Sequence, residues 1–317
     1  MSTFHGIAEV PADFGPSAVT IGKFDGVHLG HQAVIGRLRD EAHARDLVPS
    51  VITFDRNPLA LLDPASCPPE IVGRRQELEL LHTAGAEAVI ELAFDEGLRD
   101  LSPEAFVRDI LVGAANARLV LIGRDFRFGA RGAGDVDALR TWGAELGFDV
   151  IVVDDVAADG RRVSSTELRA LLDEGRVAEA AGLLGRLHAM RGGVVHGEAR
   201  GRELGYRTAN LSPDAEGMMP ADGVYAAWAS VDGRRVGAAV SVGVNPTFGD
   251  VTVRRLEAHL LDETLDLYDR ELEIAFVEFI RPMRKFADAD ALVAQMHADE
   301  VRIREILGYP APASSAE

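Results

Sequence analysis

Two histidines in a short glycine-containing segment, His28 and His31, carry the clearest chemical signal in this sequence. They lie in the string GKFDGVHLGH (22–31), between an apolar run that predicts a strand at 18–21 and a helical pattern over 32–45. Glycines let the backbone approach a ligand closely. A helix start offers free N–H groups and the positive end of the helix dipole. Because the two histidines are three residues apart, they share a face of the first turn, so the segment is suited to binding a polyphosphate.

A simple strand-to-helix turn with a surface pair of histidines is the alternative for this segment. That alternative is sufficient for an isolated G-x-G, but the full string G-x-F-D-G-x-H-x-G-H is more than a turn requires. The string is followed by neither the phosphate-binding loop G-x-x-x-x-G-K-[ST] nor the dinucleotide-binding G-x-G-x-x-G. We therefore expect a nucleotide site of a different type.

Composition narrows the class of protein. The formal net charge is −18, from 33 basic and 51 acidic residues, and no basic block occurs. This argues against nucleic acid or an anionic membrane as the main partner. No apolar run reaches the length of about 18 residues typical of a membrane-spanning helix, and the first residues lack a signal-peptide pattern. The single cysteine, Cys67, cannot form an internal disulfide. We therefore expect a cytoplasmic protein that binds anionic ligands through local groups.

Strand and helix patterns alternate over the first 185 or so residues. The predicted strands are 18–21, 50–54, 88–92, 119–122 and 150–153, and the predicted helices are 32–45, 75–84, 103–114 and 136–146. Such alternation predicts a doubly wound parallel sheet, a Rossmann-like α/β fold. In such sheets ligands bind beyond the carboxyl ends of the strands. Because 22–31, 123–129 and 164–167 each follow a strand, we expect them to converge on one crevice.

The pattern changes near residue 187, where β-type alternation becomes dominant. The predicted strands there are 193–196, 224–231, 235–242, 254–260 and 272–280, followed by a helix over 289–307. Asp232-Gly233 between two of these strands is a two-residue hairpin signal. The sequence therefore predicts two domains, 1–186 and 187–317, of which the second is an antiparallel barrel or sandwich with a final helix.

Two further segments of the first domain have side chains of chemical interest. In GRDFRFG (123–129), Phe126 and Phe128 point to the same side of an extended chain and could flank a flat ring. A pair of core phenylalanines is the alternative. The string SSTE (164–167) is a capping box, and its hydroxyls, together with Arg169, could also bind phosphate. Capping without a ligand remains the alternative there.

Polar residues of the second domain suggest metal binding and proton transfer. Thr208 and Asn210 are two apart, so their side-chain oxygens share a face and could hold Mg²⁺ together with ATP phosphates. Ordinary polar loop residues are the alternative. Alternation over 254–260 places Arg255, Glu257 and His259 on one strand face. Glu257 could accept a hydroxyl proton, or the face could be solvated and held by a salt bridge.

Taken together, these motifs resemble the bifunctional bacterial riboflavin kinase/FAD synthetase family over roughly residues 16–307. They occur in the family's order: GKFDGVHLGH at 22–31, TFD at 53–55, GRDFRFG at 123–129, SSTELR at 164–169, GRELG at 201–205, TAN at 208–210, GVY at 223–225, NPTF at 245–248 and EAHLL at 257–261. The resemblance implies an N-terminal domain that adenylylates FMN and a C-terminal β-barrel that phosphorylates riboflavin. ATP is then the co-substrate, Mg²⁺ the cofactor, and riboflavin and FMN the flavin substrates.

The resemblance also implies which residues of the first domain bind each substrate. ATP would contact Gly22, Phe24, Asp25, Gly26, His28 and His31, the two histidines having catalytic roles. Its phosphates would meet Ser164, Thr166 and Arg169. The flavin would lie near Asp125, Phe126 and Phe128.

For the second domain, the resemblance implies a metal- and ATP-binding motif at Thr208 and Asn210 and a general base at Glu257. A mobile loop over the phosphates would contain Gly201, Arg202 and Gly205. Two positions depart from the family pattern. Arg207 replaces a proline, a change that bears on kinase efficiency, and Asn57 replaces a histidine, a change that bears on ATP recognition.

Two other functions fit some of these motifs. A nucleotidyltransferase for another acceptor, such as pantetheine phosphate or a lipid head group, would share the first motif but lack the C-terminal ones. A flavin-binding sensor without catalysis would not need the histidines, Thr208, Asn210 and Glu257. Self-association is left open by the sequence.

Overall fold

The computed structural model describes residues 1–154, 157–158, 161–196, 206–244, 254–263, 267–268 and 270–309. It separates into two compact units, one made of 1–70 and 74–165 and the other of 71–73 and 166–317. Residues 166–186 belong to the second unit, where the Ala221 N–H donates to the Leu172 carbonyl at 2.9 Å. The functional boundary expected at 186/187 stays a prediction.

The first unit is built on a parallel sheet, as the sequence predicts, with six strands instead of the expected five. Its order is β1-β4-β3-β2-β5-β6. The strands are β1 (Ser2–His5), β2 (Ser17–Ile21), β3 (Val48–Phe54), β4 (Ala88–Leu92), β5 (Ala117–Gly123) and β6 (Asp149–Val153). A two-stranded hairpin follows, of β7 (Ala157–Ala158) and β8 (Arg161–Arg162). The edge strand β1 was not predicted.

Helices cover both faces of this sheet. They are α1 (Leu29–His43), α2 (Leu59–Leu62), α3 (Arg74–Thr83), α4 (Glu96–Asp100), α5 (Pro103–Ala105), a π-helix (Phe106–Ala114) and α6 (Val136–Leu146). Neighbouring residues of β5 point into different apolar clusters, Val120 into one and Leu119 and Leu121 into the other. Burial on both faces explains why these strands are continuous apolar runs in the sequence.

The second unit contains a closed antiparallel barrel, so the barrel rather than the sandwich is confirmed. The barrel order is β10-β13-β12-β11-β14-β9. The elements are α7 (Ser165–Asp173), α8 (Val177–Leu184), β9 (His188–Val195), β10 (Ala209–Leu211), β11 (Gly223–Val231), β12 (Arg234–Val244), β13 (Arg254–Leu260), β14 (Glu271–Arg281) and α9 (Ala289–Leu307). Across the parts of the chain that are described, no helix is both long and apolar enough to span a membrane.

Local chemistry explains two features of the barrel. Asp232 and Gly233 both have positive φ, 48° and 76°, as the turn between β11 and β12 requires. The final helix packs on the barrel surface through Ile303, which is fully buried against Ala226 and Leu261. These contacts hold the last turns of α9 against the barrel.

Candidate active sites

In the first unit, the segment after β2 turns sharply before α1 begins. Gly26 and Val27 both have positive φ, 85° and 37°. For a β-branched residue such as valine this conformation is rare and strained. The turn is closed by the Val27 N–H, which donates to the Phe24 carbonyl at 2.7 Å, and by Gln32, whose Nε2 donates to the Val27 carbonyl at 2.8 Å. The turn thus has a fixed shape at the carboxyl edge of the sheet.

His28 and His31 are brought together at the start of α1. His28 caps the helix, since its Nδ1 accepts the N–H of His31 at 3.3 Å. The two imidazole rings stack, with centroids 3.7 Å apart and planes 16° apart. Phe24 packs edge-on against His31 at 5.2 Å. Phe24, Asp25 and His28 are all buried, so the ring pair lies in a largely desolvated pocket beside the helix N-terminus.

Burial lowers the pKa of His31 well below its usual value, and the nearby His28 and Lys23 lower the pKa further. The imidazole is therefore neutral near pH 7. Its Nδ1 is buried and has no hydrogen-bond partner among the described residues. Lys23 lies 3.5 Å from the buried carboxylate of Asp25. A neutral donor or acceptor next to a cation and a helix N-terminus can stabilise negative charge on a phosphate.

The predicted phosphate-binding segment that follows β8 reaches this loop through one serine. Ser165 Oγ donates to the main-chain carbonyl of Asp25 at 2.9 Å, and α7 begins at the same residue. Ser164 directly precedes it in the first unit. Thr166 and Arg169 lie in the first turns of α7, within the second unit.

The predicted flavin residues differ in exposure. Phe126 and Phe128 stack with centroids 5.5 Å apart, which confirms that the two rings lie together. However, Phe128 is only 5% exposed and belongs to the core, where it also contacts Phe106. Phe126 is half-buried and Asp125 is exposed. Phe126 is therefore the ring that can present a face to a ligand, while Phe128 supports it from behind.

A buried polar network at the carboxyl ends of β3 and β4 was missed by sequence reasoning. Thr53 Oγ1 and Arg74 Nη1 both donate to Glu77 Oε1 at 3.1 Å, and Arg74 Nε also bonds to Glu91. Burial raises the pKa of Glu77 to about 7, against the lowering effect of Arg74. The helix pattern alone gives Glu77 the appearance of a surface residue, so only the tertiary contacts show this network.

Asn57, one of the two departures from the family pattern, is buried just after β3. Its Oδ1 accepts the N–H of Leu59 at 3.1 Å, while its Nδ2 is buried without a partner among the described residues. One end of the side chain therefore has a structural role. The other end is an unsatisfied donor, which is costly unless a ligand or water meets it.

In the second unit, a cavity of about 700 Å³ lies where the outer face of β12 and β13 meets the first half of α9. Its lining includes Thr208, Glu257, His259, Arg281, Phe286 and Met296. Thr208 and Glu257, predicted from separate motifs, therefore face the same space. The volume is in the range of small-molecule sites.

Strand register explains the position of Glu257. It pairs with Asn210 on β10 and with Ser241 on β12. Directly opposite residues share a face of the sheet, so the side chains of Asn210 and Glu257 are neighbours. Asn210 is largely buried. The predicted loop residues Gly201, Arg202 and Gly205, and the NPTF string at 245–248, lie outside the described residues.

Sequence reasoning also missed a buried ion pair at the edge of this cavity. Arg281, the last residue of β14, makes a two-pronged contact with Asp299 on α9, with N–O distances of 2.7 to 3.0 Å. Gln295 Nε2 donates to the same carboxylate at 2.6 Å. Since Arg281 and Asp299 are 18 residues apart, no local spacing connects them. The pair holds the helix against the barrel beside the cavity.

The two regions match two known families. A family model described as FAD synthetase matches residues 10–167, and one described as riboflavin kinase matches residues 184–307. A bifunctional riboflavin kinase/FMN adenylyltransferase from Escherichia coli (strain K12) is 35% identical over 310 residues, 98% of each chain. A relative of the same name from Pseudomonas fluorescens is 36% identical over 96% of this chain and 98% of its own.

A solved structure has the same fold over nearly its whole length. It is a Streptococcus pneumoniae chain described as a macrolide-efflux protein, with a TM-score of 0.85 and 32% identity over 96% of this chain and 98% of that chain. The two matched families follow each other in the order that the motifs predict. With near-complete coverage of the curated relatives, the chain belongs to the bifunctional riboflavin kinase/FMN adenylyltransferase family.

Proposed function

We propose that the two activities of this family are carried by the two side-chain clusters described above. The chain phosphorylates riboflavin to FMN with ATP and adenylylates FMN to FAD with release of pyrophosphate. The observation that supports the residue assignment is that the FAD synthetase match contains the stacked histidine pair and the riboflavin kinase match contains the Thr208–Glu257 cavity. Each activity therefore has a chemically suitable site within its own matched region.

For adenylylation, we assign charge stabilisation to His28 and His31. A phosphate oxygen of FMN attacks the α-phosphorus of ATP, the bond to the β-phosphate oxygen breaks, and pyrophosphate leaves. No covalent bond to the enzyme is required, so positioning and electrostatics supply the rate. Gly22, Phe24, Asp25 and Gly26 shape the ATP pocket, and Ser164, Thr166 and Arg169 are assigned to its phosphates. Asp125 and Phe126 are assigned to the flavin, with Phe128 behind them.

For phosphorylation, we assign the general base to Glu257. It takes the proton of the terminal ribityl hydroxyl as that oxygen attacks the γ-phosphorus, and ADP leaves. The half-buried carboxylate lines the cavity, beside the register partner Asn210. Apolar side chains that line the cavity, including Phe286 and Met296, suit the flavin ring.

Thr208 and Asn210 fit a Mg²⁺ ion bound together with ATP. Hydroxyl and amide oxygens are hard ligands, which Mg²⁺ prefers, and the remaining positions would be filled by phosphate oxygens and water. The described residues hold no group of three or more His, Cys, Asp or Glu that could bind a metal ion. When bound there, Mg²⁺ would neutralise charge on the phosphates. A cytoplasmic location, the absence of nucleic-acid and membrane partners, and any self-association stay predictions.

The test of both activities is one incubation with riboflavin, ATP and Mg²⁺, followed by chromatography of the flavins. We expect FMN to appear first and FAD to follow. Incubation with FMN and ATP should give FAD and pyrophosphate directly. Binding of riboflavin without turnover would support a sensor instead, and adenylylation of pantetheine phosphate but not FMN would support a different acceptor.

The role of Glu257 is tested by Glu257→Gln, which keeps the size of the side chain and removes its basicity. We expect FMN formation from riboflavin to fall by roughly 10²–10⁴, the usual contribution of general acid–base catalysis. FAD formation from supplied FMN should continue. Glu278→Gln on β14, a partly exposed glutamate that does not line the cavity, is the matched control. A Glu257→Gln enzyme with near-normal riboflavin phosphorylation would refute the assignment.

A further inference from the structure

His259 connects the strand that carries Glu257 with the segment that carries Thr208. Its Nδ1 lies 2.8 Å from the main-chain oxygen of Arg207. Its ring also packs edge-on against Tyr206, with centroids 5.0 Å apart and planes 61° apart. Tyr206, Thr208, Glu257 and His259 all line the same cavity. One side chain of β13 thus touches both residues that precede Thr208.

The chemistry of this contact fixes the protonation of one ring nitrogen. A main-chain carbonyl oxygen can only accept a hydrogen bond, so Nδ1 of His259 must carry the proton. The acceptor belongs to the main chain of Arg207, whose own side chain is exposed. The bond therefore fixes the backbone directly before Thr208, whatever side chain stands at position 207.

The strand ladder explains why such a bond is needed. β10 pairs with β13 through Ala209 with Ala258 and Asn210 with Glu257. Continuing this register places Thr208 opposite His259, but β10 begins only at Ala209 and 206–208 are outside any strand. The side chain of His259 therefore holds a segment that the ladder itself does not hold.

We propose that His259 is a positioning residue for riboflavin phosphorylation, which fixes the Tyr206–Thr208 segment so that the Thr208 hydroxyl stands in place beside Glu257. This inference rests on the proposed roles of Thr208 and Glu257. A hydroxyl on an unattached segment would have to be ordered each time ATP binds, and that ordering lowers affinity. The bond from His259 does this ordering in advance.

Two variants separate the hydrogen bond from the ring. His259→Phe keeps a ring against Tyr206 but removes the donor, whereas His259→Asn removes the ring but keeps an N–H near the place of Nδ1. For His259→Phe we expect the KM for ATP in riboflavin phosphorylation to rise about tenfold, the order of one lost hydrogen bond, with a smaller change in kcat. His259→Asn should retain the KM to within about threefold. His297→Asn, at an exposed position of α9, is the control substitution.

Binding without turnover gives a second readout. The dissociation constant of ADP, measured by calorimetry in the presence of Mg²⁺, should rise in His259→Phe by about the same factor as the KM. FAD formation from supplied FMN should be unchanged, because that activity is assigned to the other unit. Equal ADP affinity in His259→Phe and the unaltered enzyme would overturn the proposal.

A double-mutant cycle tests whether His259 acts through Thr208. If it does, His259→Phe should add little to the loss of ADP affinity already caused by Thr208→Ala, since coupled residues are not additive. Fully additive losses would overturn the proposal. If instead Thr208→Ala leaves both the KM and ADP binding unchanged, the assignment of Thr208 is wrong and the proposal fails with it, while continued riboflavin phosphorylation shows that the function stands.

Discussion

His31 shows how its surroundings set the chemistry of a single residue. Its imidazole is stacked on His28, edge-on to Phe24 and kept neutral by burial. A neutral imidazole has one N–H donor and one lone pair, and it forms no salt bridge with a carboxylate. Its N–H is therefore available to a phosphate oxygen. The sequence pattern predicted the pair, but only the structure shows the depth of burial that makes the ring neutral.

His31→Ala should therefore reduce FAD synthesis strongly while FMN still accumulates. Loss of one preorganised donor to transition-state charge costs on the order of 10²–10³ in rate. The measurement is separate chromatography of FMN and FAD after incubation with riboflavin and ATP. His43→Ala, at the exposed last residue of the same helix, is the control. Equal loss of both activities with an intact fold would contradict the role given to His31.

His188 gives the barrel a predictable response to acid. It is buried at the start of β9, its Nε2 donates to the Met218 carbonyl at 2.7 Å, and burial lowers its pKa to about 4 from 6.5. Because the unfolded chain binds the proton more tightly, this residue's contribution to the free energy of unfolding is complete above about pH 6.5. It is lost as the pH falls toward 4.

The substitution His188→Gln keeps a donor and removes the titration. Between pH 7 and pH 5 the free energy of unfolding of the unaltered protein should fall by about 2 kcal/mol more than that of this variant. The reason is that over roughly 1.5 pH units of this range the unfolded chain is protonated at His188 and the folded protein is not. Urea unfolding in a Trp142→Phe background measures this, since the remaining tryptophan, Trp228, lies on β11 of the barrel. Identical pH dependence in the two proteins would contradict it.

Residues differ in how far the sequence could predict them. His28 and His31 stand in one string whose spacing already implies a shared face, and the structure stacks their rings. Thr208 and Glu257 come from separate motifs, and the structure places both on one cavity. Glu77 and the Arg281–Asp299 pair could not be found in this way, because their partners come from distant parts of the chain. For Phe126 and Phe128, the two-residue spacing predicted neighbouring rings but could not tell a ligand-facing ring from a core ring.

At the scale of elements, long apolar or periodic segments were predicted well. The central strands of the sheet and the final helix lie within a few residues of their expected bounds. The short strands were missed. β1 has four residues and, as the edge strand, pairs only with β4, and β10 has three residues. Such strands form because neighbours offer free main-chain groups, which no local pattern records.

The segment before β10 contains Arg207, the residue that stands where the family pattern has a proline. Arg207 is exposed, its N–H makes no hydrogen bond to the described residues, and its carbonyl is held by His259. Proline at this position would keep the carbonyl and reduce the freedom of the unbound chain. We therefore expect Arg207→Pro to be tolerated, with a KM for ATP at or below that of the unaltered enzyme.

Arg207→Ala completes this test. If position 207 matters only for geometry, the alanine variant should also keep the KM for ATP within a few-fold. A rise of tenfold or more in both variants, roughly 1.4 kcal/mol, would show that the guanidinium contacts a phosphate and that the geometric interpretation is wrong.

At the scale of the whole molecule, the two activities should be separable. A fragment of residues 1–186 is expected to make FAD from FMN without phosphorylating riboflavin, and a fragment of 187–317 to do the reverse. Residues 166–186 lie in the compact second unit, where α8 packs on β14 and Ala221 bonds to Leu172. A fragment of 166–317 should therefore have a higher Tm than 187–317. Loss of both activities in soluble fragments of either kind would refute the division.

The shortness of β10 links catalysis to the integrity of the barrel. Among the described residues it joins β9 and β13 through only two register pairs on each side. A seam with so few bonds opens more readily than the longer ladders among the described strands. Asn210 and the neighbouring Thr208 lie at this seam, so a nucleotide bound to them would help to hold β10 between β9 and β13. The enzyme's own substrate would then stabilise its fold. At low ATP concentration the seam at β10 would open more often, although the rest of the barrel would stay folded.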